Sequence, residues 1–297
     1  MSFDSRTLAT VKKQALGTAC VALAAASWGT WALFLRGHGL PPAWQSLMIL
    51  SVIALCALPQ ALRVSARRPG RGARAWGWLA LAALTDAGNY FCYFGALDRG
   101  PIALAVLTHY LAPVVVAIGA PLLLREALPF RIRLALGISL GGLALLLLGD
   151  GGLPRASLAT AIFGLSSALF YGANTLLTKK LFDSFAASEV LSYHCLAAAG
   201  LLALAAGRPP PAQAFLWSPL LGAFLLGAVS AWIFYLGLGW IPASRAAVLT
   251  YLEPLVAAVV GYAFFAEPLG KQGIAGALLI VSAGAAVALA PKSVSAG

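Results

Sequence analysis

Two segments of this chain repeat one another. Residues 93–128 read YFGALDRGPIALAVLTHYLAPVVVAIGAPLLLREAL, and residues 235–269 read YLGLGWIPASRAAVLTYLEPLVAAVVGYAFFAEPL. Tyr93, Gly95, Val106 and Thr108 match Tyr235, Gly237, Val248 and Thr250 at an offset of 142. Tyr110, Pro113, Glu126 and Leu128 match Tyr251, Pro254, Glu267 and Leu269 at 141, which makes His109 a one-residue insertion. A repeat on this scale means that the fold must pack two versions of one structural unit against each other. Within a hydrophobic chain, such a duplication is an architecture of secondary transporters.

The surroundings of the repeat decide its environment. Charged residues are 10% of the chain and apolar residues 61%, whereas a water-soluble domain carries about 25% charge. A bilayer accommodates that surface at about 20 apolar residues per helical crossing. Ten windows of this kind can be read: 15–35, 43–62, 75–97, 101–124, 131–149, 157–178, 187–206, 216–240, 243–265 and 271–290. The runs are continuous, without the period of two of a barrel strand, so they are helices. Gly37 to Pro42, Pro69 to Gly72, Asp150 to Pro154 and Arg208 to Pro211 supply the breaks. The expected fold is an all-α polytopic membrane protein without a soluble domain.

The net charge of +11 is topological and does not point to nucleic acid. With a cytoplasmic N-terminus, fifteen of the 20 Lys and Arg fall in inside segments. These are Arg6, Lys12 and Lys13; Arg63, Arg67, Arg68, Arg71 and Arg74; Arg125, Arg131 and Arg133; Lys179 and Lys180; Arg245; and Lys292. Arg36, Arg99, Arg155, Arg208 and Lys271 fall outside. The bias places both termini in the cytoplasm, with membrane lipid as the surrounding partner. Ala24 and Ala26 imitate a signal-cleavage site, but the apolar run continues to Leu35, as in a retained first helix. Cys20, Cys56, Cys92 and Cys195 are scattered over four spans and read as buried apolar filler, implying neither disulfide nor metal.

Ten helices divided by the offset make two sets of five. The expected division is a tail at 1–14, a first repeat at 15–152, a second at 153–290 and a tail at 291–297. Because five is odd, the second set enters the membrane from the opposite side. Inverted repeats place a site at their interface near the midplane, and access alternates when the halves exchange conformations. Pro113 and Pro254 occupy equivalent positions, and each removes a helical i to i−4 bond. They are either paired hinges or fixed bends that shape a cavity.

The VLTHYLAP and VLTYLEP elements, the REAL and AEPL sequences that close helices four and nine, and SWGTWAL in the first helix resemble the drug/metabolite transporter superfamily. More narrowly they resemble its ten-helix EamA branch, over nearly the whole chain. The Tyr-Leu-x-Pro element of helix four is also similar to that of the YddG-type exporters of aromatic amino acids. The resemblance implies a small-molecule carrier, usually an exporter, in the bacterial inner membrane. Its cavity would be walled by helices one to four and six to nine.

Asp86 and Glu253 lie at the centres of helices three and nine, where an ionised acid costs about 2.5–3.5 kcal/mol. Every Lys and Arg is at or near a span end, and Arg245 is expected to snorkel to the cytoplasmic face. Each acid is therefore protonated at rest, wetted by a cavity, or bonded to His or Tyr, and either could carry a coupling proton. Asp86 shares a helix face with Asn89 and Tyr90 at i+3 and i+4. Glu253 either takes part in transport or bonds backbone freed by Pro254. His109, beside Tyr110, and His194 are the next intramembrane candidates. Trp28, Trp31, Tyr171, Asn174 and Trp232 complete the candidates on the wall helices, suited to an apolar, aromatic pocket. Gly137, Ser139 and Gly141 match the GxSxG nucleophile elbow, but inside an uninterrupted helix the spacing reads as GxxxG packing.

No P-loop occurs, so ATP is not the direct energy source, and no cofactor is implied. The leading expectation is a secondary carrier that exports an aromatic or neutral amino acid or a related metabolite, with protons as the coupling partner. A carrier of drugs or cationic amphipaths, met by Asp86 and Glu253, is the alternative. A receptor or structural membrane component has no need of an inverted duplication. An enzyme would need a nucleophile–base pair or an acidic metal cluster. Oligomeric state is open.

Overall fold

The computed structural model describes residues 5–35, 39–67, 70–97, 99–100, 102–148, 158–211, 217–268 and 270–289. The ends of both tails, the 149–157 segment between the halves, Arg36 to His38, Arg68, Pro69, Leu269 and Lys292 lie outside the described residues. Among the described residues every regular element is a helix. They are α1 Ser5–Trp28, α2 Ala32–Leu35, α3 Pro42–Ser65, α4 Ala73–Leu97, α5 Ile102–His109, α6 Ala112–Gly119 and α7 Phe130–Leu148. The second half contributes α8 Leu158–Leu181, α9 Ala187–Ala205, α10 Trp217–Gly222, α11 Ser230–Trp240, α12 Ala243–Leu249, α13 Leu252–Phe265 and α14 Lys271–Ala288. A π-helical turn extends α6 over Ala120–Leu124, and another joins α10 to α11 over Ala223–Val229.

Nine stretches among the described residues are long and apolar enough to cross a membrane. The expected third span, α4, is not one of them, although it is 25 residues long. Arg74, Asp86, Asn89 and its tyrosines lower its mean hydropathy. Asp86 and Asn89 are nevertheless buried, because α4 packs against α8 and α9. The other principal pairs are α3 with α9, α7 with α14 and α1 with α11. Each of these pairs joins one half of the sequence to the other.

The duplication is visible in the backbone. Both copies of the repeated helix break at the same place, α5 to α6 at Tyr110–Leu111 and α12 to α13 at Thr250–Tyr251. The break falls just before Pro113 or Pro254, whose missing N–H interrupts the ladder. In the second copy the Thr250 carbonyl instead accepts from the Glu253 N–H at 3.1 Å. Both copies also end alike. Arg125 (φ 57°) and Ala266 (φ 55°) are left-handed caps, after which the Glu126 and Glu267 N–H groups donate to the Ala120 and Gly261 carbonyls at 3.3 and 3.1 Å. The prolines, the caps and their bonded residues are all 141 apart, and the breaks are 140 apart. A left-handed L-residue costs about 1–2 kcal/mol, so Ala266→Gly, offset by chain entropy, should stabilise the protein by about 0.5–1 kcal/mol. A raised thermal midpoint would register this.

Three expectations are corrected. Gly137 and Gly141 have open space where a Cβ would stand, and the close crossing of α7 and α14 is made by Gly142 and Gly276 instead. A Cβ on Gly142 would meet the Gly276 carbonyl oxygen at 2.7 Å, so Gly142→Ala should cost about 1–3 kcal/mol of overpacking. Gly141→Ala, measured in parallel by thermal unfolding, should cost almost nothing. Arg245 does not snorkel: it is buried, and its guanidinium donates to the Val287 carbonyl at 2.5 and 3.1 Å, capping the end of α14. Cys56 is exposed on α3 and is not buried filler.

Candidate functional site

A cavity of about 670 Å³ lies between the two halves, a size suited to a small organic molecule. Asp86, Asn89 and Tyr90 reach it from α4, Trp28 and Trp31 from the first helix and its broken end, and His109 and Tyr110 from the break after α5. The second half supplies Tyr171 and Asn174 from α8, His194 and Cys195 from α9, and Glu253 and Pro254 from α13. No Lys or Arg lines it among the described residues. Two candidates lie elsewhere. Trp232 is on the side of α11 that packs on the core, and Pro113 is buried behind the lining. Helix position predicted depth for both, but not which face turns inward.

The polar side chains of the cavity bond across the halves. Asp86 Oδ2 lies 3.3 Å from His194 Nε2, while His194 Nδ1 donates to the Val190 carbonyl at 2.6 Å. Ser167 Oγ donates to Asn89 Oδ1 at 2.8 Å, so the His109 Nδ1 proton is what reaches Ser167, at 2.7 Å. The His109 ring stacks on Tyr171 with centroids 5.2 Å apart and planes at 5°. Asn174 donates to the Ala82 carbonyl at 2.8 Å. Glu253 hydrogen-bonds with the Tyr110 hydroxyl, and Tyr251 donates to the Tyr110 carbonyl at 3.0 Å. Both mid-membrane acids thus take a His or a Tyr as partner. The π-helical turn before α11 has a local use as well, because its Leu226 carbonyl accepts the Trp28 indole N–H at 2.8 Å.

One end of this assembly is tied shut. Arg71 pairs with the fully buried Glu189, which also accepts from Ser65 Oγ at 2.5 Å and caps the Ala186 N–H at 2.8 Å. Glu126 accepts the Ala243 N–H at 2.6 Å at the start of α12 and lies 3.9 Å from Lys179. Lys179 in turn donates to the Leu238 carbonyl and, at 2.6 Å, to that of Ile241. Burial pushes the Glu126 carboxyl above its ordinary range, and Lys179 with the Ala243 and Ser244 N–H groups pulls it partly back. The cavity lining runs the other way, to Gln45, Ile102 and Pro268. These lie at the opposite ends of the same helical stretches from Ser65, Glu126 and Ala243.

Cys195 is one lining residue that reasoning from sequence missed, and Gln45, Thr175, Thr178 and Glu267 are others. Scattered cysteines in apolar runs read as filler, and the only local signal was its position next to His194. The proximity of Asp86 depends on how α4 crosses α9.

The model for the EamA-like transporter family matches this sequence twice, over residues 15–148 and 158–289. An uncharacterized transporter of Archaeoglobus fulgidus is 31% identical over 273 residues, covering 90% of this chain and 94% of that protein. A solved structure described only as the crystal structure of a protein superposes with a TM-score of 0.76 over 91% of this chain and 95% of that one. Its identity is 23%, so that likeness speaks to the fold.

Proposed function

This chain belongs to the EamA-like transporter family, and from that premise we propose that it is a secondary carrier that exports an aromatic or neutral amino acid, or a related metabolite, by alternating access. The observation that carries the reading is the cavity between the halves, whose polar contacts bridge them and which is tied at the end of Glu189 and Glu126. Residues 15–152 and 153–290 act as inverted repeats, with α4 as a tenth crossing that turns its polar face to the cavity. The charge bias puts both termini, and the tied end, in the cytoplasm of a bacterium, so this conformation faces outward.

The lining suits a zwitterion with a flat apolar body. Asp86 and Glu253 supply negative charge for an ammonium group. Asn89, His109 and the tyrosine hydroxyls offer donors for a carboxylate, and Trp28, Trp31 and Tyr171 offer aromatic faces. The carboxylates, with no Lys or Arg lining the cavity among the described residues, favour one second reading, a cationic amphipath. Counterflow in proteoliposomes separates the two. Acceleration by unlabelled aromatic amino acids supports the first reading, and acceleration only by lipophilic amines supports the second.

Glu253 is the proposed proton carrier, since its partner is a tyrosine of the other half and moving the halves apart would open it to water. Pro113 and Pro254 act as the paired hinges. Replacing either with Ala restores a helical bond and should bias access toward one face, the two variants in opposite directions. Labelling of single cavity cysteines from each face measures this. Equal labelling in both variants and the parent would leave the prolines as fixed bends.

A further inference from the structure

We infer that Asp86, His194 and Cys195 form a binding site for a late first-row divalent cation of the zinc class inside the cavity. Their ligand atoms lie within 4.8 Å of one another, and all three residues line the cavity. The Asp86–His194 distance matches a tetrahedral centre. Zinc bonds of about 2.0–2.1 Å to nitrogen, about 2.0–2.2 Å to oxygen and about 2.3 Å to sulfur imply N···O near 3.3–3.5 Å and N···S near 3.6 Å. His194 Nε2 stands 3.3 Å from Asp86 Oδ2, and Cys195 Sγ lies beside the ring, 3.7 Å from Nε2 and 3.8 Å from Nδ1. Rotation of the Cys195 side chain swings the thiol toward the Nε2 axis and closes it on the carboxylate.

The imidazole is set for this role. Its Nδ1–H is held by the Val190 carbonyl at 2.6 Å, which leaves Nε2, on the Asp86 side, as the ligating nitrogen, and a backbone carbonyl on the far nitrogen is the usual support of a metal-bound histidine. Charge also balances. On binding, the Cys195 thiol proton and the proton shared by His194 Nε2 and Asp86 Oδ2 both pass to water in the cavity, and thiolate plus carboxylate neutralise the dication. A neutral centre suits a cavity that no Lys or Arg lines among the described residues. Three protein ligands leave a fourth position for water or a donor atom of a cavity ligand, the pattern of a working rather than a closed structural site. Soft sulfur with nitrogen excludes Mg²⁺ and Ca²⁺, which take oxygen ligands.

The test uses the full chain in detergent, with Co²⁺ as spectroscopic probe and Zn²⁺ as competitor. One equivalent of Co²⁺ should bind with a thiolate charge-transfer band, and Zn²⁺ should abolish it. Cys195→Ser should remove the band, and His194→Gln should weaken Zn²⁺ binding by more than the roughly 10–100-fold that losing a ligand's supporting partner costs. Replacing Cys20, Cys56 and Cys92 together should leave the band intact. A wild-type protein without a thiolate band, or a band that survives Cys195→Ser, overturns the inference. If a variant does not elute as a single species, the band and stoichiometry of the wild type, read in the background lacking the other cysteines, decide the question. Binding in detergent needs neither substrate nor gradient, so this result stands or falls separately from export.

Discussion

Glu253→Gln should abolish transport driven by a proton gradient while leaving exchange of substrate between the two faces within a few-fold of wild type. Glutamine keeps the shape and the hydrogen bond to Tyr110 but cannot gain or lose the proton. An ionised acid at the centre of a membrane helix costs about 2.5–3.5 kcal/mol, and an uncoupled carrier has no reason to keep one in its cavity. Asp86→Asn serves as the comparison, because Asp86 is matched to His194. Full gradient-driven uptake by Glu253→Gln would remove the proposed carrier. Loss of folded protein would instead assign Glu253 to the backbone opened by Pro254.

The second large effect belongs to the tied end. Glu189→Ala should destabilise the protein by about 3 kcal/mol or more, since breaking a buried pair strands its partner. Glu189 has no exposed surface, and it holds Arg71, Ser65 Oγ and the Ala186 N–H together. The Arg71 side chain is 10% exposed, so part of its charge can turn to water, which keeps the loss toward the lower end of that range. Glu189→Gln retains the cap and should lose less. Thermal unfolding in detergent orders the three proteins, and equal midpoints would mean that the tie contributes nothing.

Much of this was legible because helices in a membrane need long apolar runs, and nine of the expected windows coincide with such stretches. The i, i+3, i+4 rule also put Asp86, Asn89 and Tyr90 on one face, and they share the cavity. What was not legible depends on geometry between helices or on backbone choices that side chains do not announce. Trp232 and Cys195 exchanged roles because depth along a helix says nothing about its rotation. Arg245 looked like a snorkelling cation until α14 supplied a carbonyl end for it to cap. The caps at Arg125 and Ala266 use residues with no left-handed preference, so only the repeat, compared position by position, could have raised them. Gly142 did its packing work one residue from the spacing that drew notice.

The central claim is that the two halves face opposite ways across the membrane, and the matched caps give the most direct test. Ala127 and Pro268 are equivalent at the repeat offset, and each is exposed just past its cap. In a background freed of native cysteines, Ala127→Cys and Pro268→Cys are labelled with a membrane-impermeant maleimide in intact cells and in inverted vesicles. The account predicts that Pro268→Cys reacts only in cells and Ala127→Cys only in inverted vesicles. Reaction of both from the same face would contradict it.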